Sequence, residues 1–494
     1  MHLKKQIHVI GAGFSGLAAS AILAKQGYEV TLVEKNEQTG GRARIWENKG
    51  FTFDMGPSWY WMPDIFENYF ALFGKKVSDF YQLERLDPGY RVYFSADEHV
   101  NVPADMTELE ALFEKYEAGS AKALRAFMEQ AAYKYKHAMG DYVFRPSHGL
   151  GEFLDLNLML QSLRIHMLKP MAKHVRKYFK NPKLIQLLEF PVLFLGATAQ
   201  KIPAMYSLMN YADLGLGTWY PNGGMHQIVK AMTQLAKDQG VNILLNTEVQ
   251  KVEIEGSSAK QVVTSKGTFD TDFVIAAGDY HFIEQNLIAK PYRNYDEAYW
   301  QSRTLSPSSL LFYIGLDKKV EGILHHNLFF DEDLDAHAHE IYTQPKWPSK
   351  PLFYVSCVSK TDPASAPAGM ENLFFLIPLA PGLEDNEALR EQYYHLMLDR
   401  FERITKQKIR GHELVKRSYA LKDFTHDYHS FKGNAYGLAN TLAQTAFFKP
   451  AMRAKKITNL LFAGQLTVPG PGVPPAIISG QVAATEAHKI LQKL

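Results

Sequence analysis

The amino-acid sequence predicts an α/β protein built on a parallel sheet. A short apolar strand at residues 6–10 leads into the run Gly11-Ala12-Gly13-Phe14-Ser15-Gly16, and a helical pattern follows up to Gly27. A second strand at residues 29–33 ends on Glu34. A glycine-rich turn between strand and helix, with an acidic residue about twenty positions further on, is the fingerprint of a Rossmann-like dinucleotide-binding domain.

Each residue type in this fingerprint has a physical task. Gly11 permits the tight turn, Gly13 lets a pyrophosphate approach the backbone, and Gly16 lets the helix pack closely on the sheet. The phosphates are expected on the free N–H groups at the helix N-terminus. A carboxylate at Glu34 accepts the ribose hydroxyls of an adenosine and repels a 2′-phosphate, which argues against NADP. The predicted cofactor-binding residues of this segment are Gly11, Gly13, Phe14, Ser15, Gly16, Glu34 and Lys35.

A second motif distinguishes FAD from NAD. The turn Gly40-Gly41-Arg42-Ala43 and the run Gly50-Phe51-Thr52-Phe53-Asp54-Met55-Gly56-Pro57 resemble the extended motif of flavoproteins that include amine oxidases, protoporphyrinogen oxidase and carotenoid desaturases. This resemblance implies that the first turn lies along the FAD diphosphate, which Arg42 neutralises. It also implies that the Asp-x-Gly-Pro loop lies beside the flavin. The resemblance adds to the predicted site Gly41, Arg42, Gly56, Pro57 and Ser58.

Residues 219–249 extend the resemblance to the middle of the chain. The run Trp219-Tyr220-Pro221-Asn222-Gly223-Gly224-Met225 precedes a helix and a strand-like segment at residues 243–249, as in the returning part of an FAD domain. The resemblance implies that the Gly223-Gly224 turn lies near the cofactor. It also implies that Val249 contacts the adenine side of FAD.

The C-terminal residues 459–475 resemble the motif of bacterial-type phytoene dehydrogenases. A buried strand there ends in a Gly/Pro loop and a helix follows, and a helix N-terminus suits a phosphate or the flavin carbonyls. The resemblance implies that Gly464, Gly472 and Val473 belong to the cofactor site. The pair Leu466-Thr467 and Pro475 depart from the usual family pattern. With residues 56–64 and 200–211, the resemblance covers nearly the whole chain.

The motifs divide the chain into two discontinuous domains. We expect residues 1–85, 219–300 and 445–494 to form a Rossmann-like FAD-binding domain. Residues 86–218 and 301–444 are expected to form a substrate domain of mixed sheet and helices (α+β).

The function implied by the resemblance is FAD-dependent desaturation of a carotenoid. A phytoene desaturase is the first alternative, and a hydroxycarotenoid 3,4-desaturase acting later in the pathway is the second. The flavin would take one hydrogen as hydride and a base would take the other as a proton, but no catalytic base is identified. A hydrocarbon substrate requires an apolar and aromatic tunnel. Because no second nucleotide fingerprint or iron–sulfur motif occurs, oxygen or a membrane quinone is the expected electron acceptor.

Three more distant functions are weighed against desaturation. A carotenoid isomerase shares the resemblance, whereas an amine oxidase needs an aromatic cage and a polar entrance that the sequence does not reveal. A lipid carrier on the same scaffold would not need FAD. The fingerprint glycines, Glu34, Arg42 and the C-terminal loop are all present, which favours an enzyme over a carrier.

Composition excludes several other classes. The single cysteine, Cys357, rules out an internal disulfide, a Cys-x-x-Cys pair and a cysteine-ligated cluster, and it lies outside every flavin motif, so FAD is expected to bind non-covalently. A net charge of +2 predicts no nucleic-acid partner. His337 and His339 lie in an acidic stretch that reads as a solvated loop rather than a metal site.

A basic amphipathic segment offers a route to lipid. Apolar residues recur at helical spacing between residues 153 and 180, interleaved with Arg164, Lys169, Lys173, Arg176, Lys177 and Lys180. This pattern suits an anionic membrane interface, with a kink at Pro170, and an ordinary domain helix is the equal alternative. Without a signal-peptide core or an 18-residue apolar run, we expect a cytoplasmic protein, peripheral to the inner face of the cell membrane.

Overall fold

The structure is a computed structural model that describes residues 4–147, 149, 169–445 and 448–493. Its strands, in chain order, are β1 Gln6–Ile10, β2 Glu29–Val33, β3 Ile45–Asn48, β4 Phe51–Asp54, β5 Leu83–Arg85, β6 Tyr90–Tyr93, β7 His99–Val102, β8 Trp219–Pro221, β9 Asn242–Leu244, β10 Val249–Glu255, β11 Ser258–Thr264, β12 Gly267–Asp270, β13 Phe273–Ala276, β14 Ser308–Leu316, β15 His326–Phe329, β16 Phe353–Ser356, β17 Glu371–Leu379, β18 Glu413–Tyr419 and β19 Leu460–Phe462.

The α-helices lie between these strands and cover the sheets. In chain order they are α1 Phe14–Lys25, α2 Pro63–Ala71, α3 Met106–Tyr116, α4 Ser120–His137, α5 Met171–Val175, α6 Pro182–Glu189, α7 Leu208–Asn210, α8 His226–Asp238, α9 Tyr280–Phe282, α10 Glu297–Gln301, α11 Leu334–Tyr342, α12 Glu387–Thr405, α13 Leu421–Tyr428 and α14 Val473–Leu491.

A five-stranded parallel sheet forms the first half of the molecule. Its strand order is β19-β13-β1-β2-β9, and every neighbouring pair is parallel. Ile7 and Val9 face the core shared with α1 and α14, whereas Ile10 faces a three-stranded antiparallel sheet of β10, β11 and β12. Because parallel strands are covered on both faces, their sequences read as short apolar runs. The predicted α/β class with a Rossmann-like domain is confirmed.

A seven-stranded mixed sheet forms the second half. Its order is β18-β14-β17-β16-β15-β6-β7, with one parallel pair, β15 and β6. All nine residues of β14 are buried, because alternate side chains face two different layers. Phe312 and Ile314 pack with residues of α12, and Leu311 faces the opposite side together with Leu376 of β17.

The strands of each large sheet come from the segments predicted for one of the two domains. The parallel sheet takes its strands from residues 6–33, 242–276 and 460–462, and the mixed sheet from residues 90–102 and 308–419. A short ribbon of β5 and β8 joins the two regions. The exact domain boundaries stay a prediction.

Helix α11 replaces the loop that was expected around His337. Asp333 caps this helix by accepting a hydrogen bond from the backbone N–H of Ala336, so the aspartate-rich run marks a helix start. His337 is buried, and its ring nitrogens lie 3.1 Å from the backbone N of Leu352 and 3.1 Å from the carbonyl O of Pro378. The expectation of a solvated loop is therefore wrong. In the described part of the chain, no cluster of three or more His, Cys, Asp or Glu side chains has a geometry for metal binding.

The predicted amphipathic segment is described only in part. Residues 153–168 lie outside the described residues. Beyond them, Pro170 precedes the short helix α5, whose Met171 and Val175 are fully buried in the main core. This half packs as an ordinary domain helix. Among the described helices, none combines the length and the apolar character needed to cross a membrane.

Candidate cofactor and substrate cavity

The fingerprint loop lies at the carboxyl edge of the parallel sheet and lines a cavity of about 540 Å³. Helix α1 begins directly after Gly13, and its first turn contains no acidic residue and no side-chain cap. Its first N–H groups therefore lack intrahelical partners, as at any helix start. A Cβ added to Gly13 would meet no atom within 4 Å. The space above Gly13 is thus open and bordered by N–H donors, which fits an anionic diphosphate.

Gly16 lies beneath the loop and not in the cavity wall. A Cβ on Gly16 would lie 1.9 Å from the carbonyl O of Gly11, so any side chain would push the helix away from the turn. This placement agrees with a packing task. The other six residues predicted from the fingerprint segment, Gly11, Gly13, Phe14, Ser15, Glu34 and Lys35, all line the cavity.

Glu34 ties the end of β2 to the fingerprint loop. Its buried carboxylate accepts hydrogen bonds from the backbone N of Ala12 at 2.8 Å and of Asn36 at 2.9 Å. The side-chain amide of Asn36 also donates to this carboxylate, at 3.0 Å. A carboxylate has about four lone-pair sites, so about one remains for a hydroxyl group in the cavity. Glu34 thus both holds the loop in place and presents an acceptor to a ligand.

The cavity end beside Glu34 is closed by side chains from three distant segments. Lys35 donates to the carbonyl O of His426 at 2.6 Å, and burial lowers the pKa of its amine. His429 lies 3.0 Å from a carboxylate oxygen of Glu248 and stacks on Phe282 with ring centroids 3.7 Å apart. Glu248, Phe282 and His429 were not predicted, because no local motif marks them. Val249, which was predicted, lines the cavity next to Glu248.

Arg42 lies in a 3₁₀ turn, Gly41–Ala43, and reaches into the cavity. Its Nη2 donates to the Ser430 hydroxyl at 2.7 Å, and its guanidinium lies over the Tyr428 ring. Its buried Nε has no hydrogen-bond partner in the described chain. Burial lowers the pKa of Arg42, with the nearby Asp279 carboxylate acting in the opposite direction. An unsatisfied guanidinium N–H in a residue of the cavity wall is suited to bind an anionic group.

The Asp-x-Gly-Pro loop is held in place by Asp54. Its carboxylate accepts from the backbone N of Met225 at 2.7 Å and of His226 at 2.9 Å, and so caps the start of α8. Burial raises the pKa of Asp54 to about 6. The residues that follow, Gly56, Pro57 and Ser58, line the cavity as predicted for the cofactor site.

The Gly223-Gly224 turn does not reach the main cavity. A Cβ on Gly224 would lie 2.9 Å from a carboxylate oxygen of Asp54, so the turn packs against the residue that caps α8. Both glycines border a separate small cavity behind the Ser58 loop. The two glycines do not belong to the main cavity wall, and Gly224 is needed for the approach to Asp54. That this turn lies near the cofactor stays a prediction.

A second helix N-terminus meets α1 at the cavity. Gly464 follows β19, and Gly472 precedes α14, whose first residue is Val473; these three residues line the cavity. The Ser15 hydroxyl donates to the carbonyl O of Ala476 at 2.8 Å and joins the two helix starts. Because Pro474 and Pro475 lack N–H groups, the backbone N–H of Val473 is the donor that this end of α14 offers.

The rest of the cavity is mainly apolar and aromatic. This region lies between the Ser58 loop and the inner face of the mixed sheet. Among the residues that the structure describes, no Asp or Glu side chain lines it. Its wall includes Trp59, Trp61, Met62, Met139, Met205, Tyr206, Leu208, Met209, Leu311, Tyr354, Leu376 and Tyr436. The cavity therefore joins a polar region with unpaired donors to an apolar region suited to a hydrocarbon.

Comparisons with known proteins agree with this geometry. The sequence pattern described as flavin containing amine oxidoreductase matches residues 14–488. A carotenoid 3,4-desaturase of Haloarcula japonica is 37% identical over 97% of both chains. A 4,4'-diapophytoene desaturase (4,4'-diaponeurosporene-forming) of Staphylococcus aureus is 30% identical over 99% of both chains.

Solved structures share the fold at low sequence identity. An oxidoreductase from Methanosarcina mazei superposes with a TM-score of 0.63 at 16% identity, covering 96% of this chain and 99% of its own. Wild-type putrescine oxidase bound to putrescine superposes with a TM-score of 0.64 at 14% identity, covering 99% of both chains.

Glu34→Gln is expected to weaken FAD binding. The new NH₂ group would face a backbone N–H donor, of Ala12 or Asn36, and the charge-assisted acceptance of ligand hydroxyls would be lost. Loss of a hydrogen bond to a charged group costs about 1.5–3 kcal/mol, so the Kd for FAD should rise about 10-fold or more. Titration of the apoprotein with FAD measures it. The control is Glu37→Gln, an exposed site three residues away, and an equal Kd in both variants would contradict the assignment.

Proposed function

The chain belongs to the flavin-containing amine oxidoreductase family, and on that premise we propose that it is an FAD-dependent carotenoid desaturase that introduces C=C bonds into a polyene. The observation that carries the proposal is that the dinucleotide fingerprint and an apolar, aromatic wall line the same cavity. The identities of 37% and 30% to two carotenoid desaturases, each over almost the full chain, support the same function.

FAD is the cofactor, and we assign its binding groups from the chemistry of the wall. The helix start at Gly13, Phe14 and Ser15, with Arg42, would hold the diphosphate. Glu34 would bind the ribose hydroxyls. Gly11 and Gly16 would shape the turn and the helix packing beneath the diphosphate. The other predicted residues divide between the two ends of the cofactor: Lys35 and Val249 at the adenine side, and Gly41, Gly56, Pro57, Ser58, Gly464, Gly472 and Val473 along the ribityl and flavin side. Cys357 is buried under the mixed sheet and does not line the cavity, which supports non-covalent binding.

The chain's own task in desaturation is to position a hydrocarbon and keep water away. FAD, when bound, supplies the oxidation by accepting a hydride. The apolar wall offers a polyene dispersion contacts and few competing hydrogen bonds, so its position depends on shape. Trp59 follows directly after Ser58 and Trp61 two positions later, and both line the cavity, so aromatic side chains lie next to the loop assigned to the flavin.

Two polyenes are candidate substrates. The higher identity to the Haloarcula japonica protein favours 3,4-desaturation of a carotenoid. The relation to the Staphylococcus aureus protein favours an early, phytoene-type desaturation. Both reactions lengthen the conjugated system, so pigment analysis distinguishes them.

The protein can be expressed in two kinds of cell, one that accumulates phytoene and one that accumulates a hydroxylated carotenoid saturated at the 3,4 bond. We expect a more conjugated pigment to appear in one of these two cell types. Lycopene or its partial precursors would establish the early reaction, and a 3,4-unsaturated product the late one. The matched control is Gly13→Val, which fills the open space above the fingerprint loop and should abolish the change. Unchanged pigments in both cell types, with FAD bound to the protein, would contradict the proposal.

We further propose that the protein acts at the inner face of an anionic membrane and passes electrons to oxygen or a quinone. The polyene substrate dissolves in lipid, and Lys173, Lys177 and Lys180, in the described part of the predicted amphipathic segment, are exposed. Arg176 is excluded from this surface charge because it forms an ion pair with the buried Glu189.

Replacing Lys173, Lys177 and Lys180 by Glu should reduce binding to anionic vesicles by about 10²-fold or more, because each lysine near such a surface contributes about 1 kcal/mol. Sedimentation with vesicles of defined anionic lipid content measures it. The control reverses Lys237, Lys260 and Lys290, which are also exposed but distant in sequence from this segment. Equal vesicle binding by both triple variants would contradict the docking proposal.

A further inference from the structure

A buried tyrosine–histidine pair lies beside the apolar part of the cavity, and the cofactor assignment does not use it. Tyr354, on β16, lines the cavity and is 5% exposed. Its hydroxyl lies 2.6 Å from Nδ1 of His326 on the neighbouring strand β15. His326 is 0% exposed, and its Nε2 has no hydrogen-bond partner in the described chain. A polar pair buried with one nitrogen unsatisfied carries a free-energy cost that a role in catalysis would explain.

Trp59 places this histidine next to an aromatic face. The imidazole of His326 stacks on the indole of Trp59 with centroids 4.1 Å apart and ring planes 9° from parallel. Trp59 itself lines the cavity. An aromatic face attracts a cation at this distance, so the stack would stabilise an imidazolium while it exists. The neighbouring His325, whose ring centroid lies 4.3 Å away, stays neutral because burial lowers its pKa to about 3.

Desaturation requires an acceptor for a proton in a cavity that excludes water. The cavity-lining carboxylates Glu34, Glu248, Asp279 and Asp427 lie at the polar end and are engaged there with backbone N–H groups or basic side chains. Tyr354 instead lies in the apolar part of the cavity wall, and its hydroxyl bonds to a group that can take up a proton.

We propose that Tyr354 and His326 together accept the proton that leaves the substrate, an inference that rests on the proposed desaturase function. The C–H bond next to the carbon that has lost hydride breaks, and its electron pair becomes the second bond of the new C=C. The proton passes to Oη of Tyr354 while the tyrosine's own proton passes to Nδ1 of His326. The neighbouring carbon loses its hydrogen together with the bonding electron pair, as a hydride, which the proposed function assigns to FAD. Two hydrogens therefore leave, one as hydride and one as proton, and one double bond forms.

The environment of His326 suits a short-lived proton. Burial and the adjacent His325 lower the pKa of His326 well below its usual value. A weak base suffices, because a C–H beside an allylic cation is a strong acid. A weak base also releases the proton readily, so the pair returns to its neutral state for the next turnover.

A small cavity with several polar groups in its wall offers the proton a way out. It has a volume of about 30 Å³ and is lined by Asp54, Ser58, Tyr220, His325 and Ser356 among other residues. A water molecule needs about 10–15 Å³ of such space and several polar partners, and both are present. Ser58 lines this cavity and the main one. Ser58 and Ser356 are side-chain hydrogen-bond partners of Tyr354, so the small cavity adjoins the pair.

Two variants separate proton transfer from structure. Tyr354→Phe removes the hydroxyl, and His326→Asn keeps an amide near the position of Nδ1 but cannot take up a proton. The control is Tyr393→Phe. Tyr393 lies on α12, away from the cavity, and is also 5% exposed. Its hydroxyl donates a hydrogen bond to the carbonyl O of Pro348, which the variant loses. General base catalysis contributes about 10²–10⁴-fold, so kcat for desaturation should fall by about 10²-fold or more in both test variants and stay near wild type in the control.

The kinetic isotope effect on kcat distinguishes a loss of proton transfer from a structural defect. With substrate deuterated at the carbon that loses the proton, the kinetic isotope effect on kcat should rise in both test variants, because proton transfer becomes rate-limiting. The Kd for FAD and the KM for the polyene should stay near the control's values. Wild-type kcat and an unchanged isotope effect in Tyr354→Phe would overturn the proposal while the desaturase function stands. A wild-type protein that binds FAD but desaturates neither candidate polyene would overturn the function, and the proposal with it.

Discussion

Two helix N-termini meet at one edge of the parallel sheet, and the rest of the cavity is arranged around them. Helix α1 starts after Gly13 and α14 after Gly472, and the hydroxyl of Ser15 bonds to the carbonyl O of Ala476 between them. Unpaired N–H groups and aligned dipoles favour negative charge at both points. Because the two helices are about as far apart in sequence as the chain allows, the chain must return to the first sheet at its end. The parallel sheet is therefore assembled from segments that are far apart in the sequence.

The second half of the molecule completes both ends of the cavity. At the polar end, Ser430 and His429 contact Arg42 and Glu248, which belong to the segments of the parallel sheet. At the apolar end, Leu311, Tyr354 and Leu376 project from the inner face of the mixed sheet. A cofactor with an anionic middle and an apolar substrate can thus share one cavity, because each sheet supplies the chemistry for one part.

The sequence predicted those parts of the site that are local. The fingerprint turn, Glu34 at the end of β2 and the Gly/Pro loop before α14 each combine a conformational need with a nearby helix or strand, so a short run of residues reveals them. The Gly223-Gly224 turn has a similar sequence, but Gly224 serves the contact with Asp54. The aspartate-rich run before His337 resembles a solvated loop in sequence, whereas Asp333 caps α11.

The parts of the site that depend on strand register could not be predicted from the sequence. Tyr354 and His326 are 28 positions apart and come together only because β15 and β16 pair antiparallel. His429 and Phe282 are brought together by the packing of the two halves. Single buried aromatic and histidine residues carry no local signal, since a domain core contains many of them.

The most direct test of the account is anaerobic mixing of the FAD-loaded protein with its polyene. In one turnover, the account predicts loss of the visible absorbance of oxidised flavin together with a red shift of the polyene spectrum, with one new double bond for each flavin reduced. The reaction would then stop until oxygen or a quinone is added. A changed polyene spectrum with the flavin still oxidised would contradict the account, because it would mean isomerisation without removal of hydrogen.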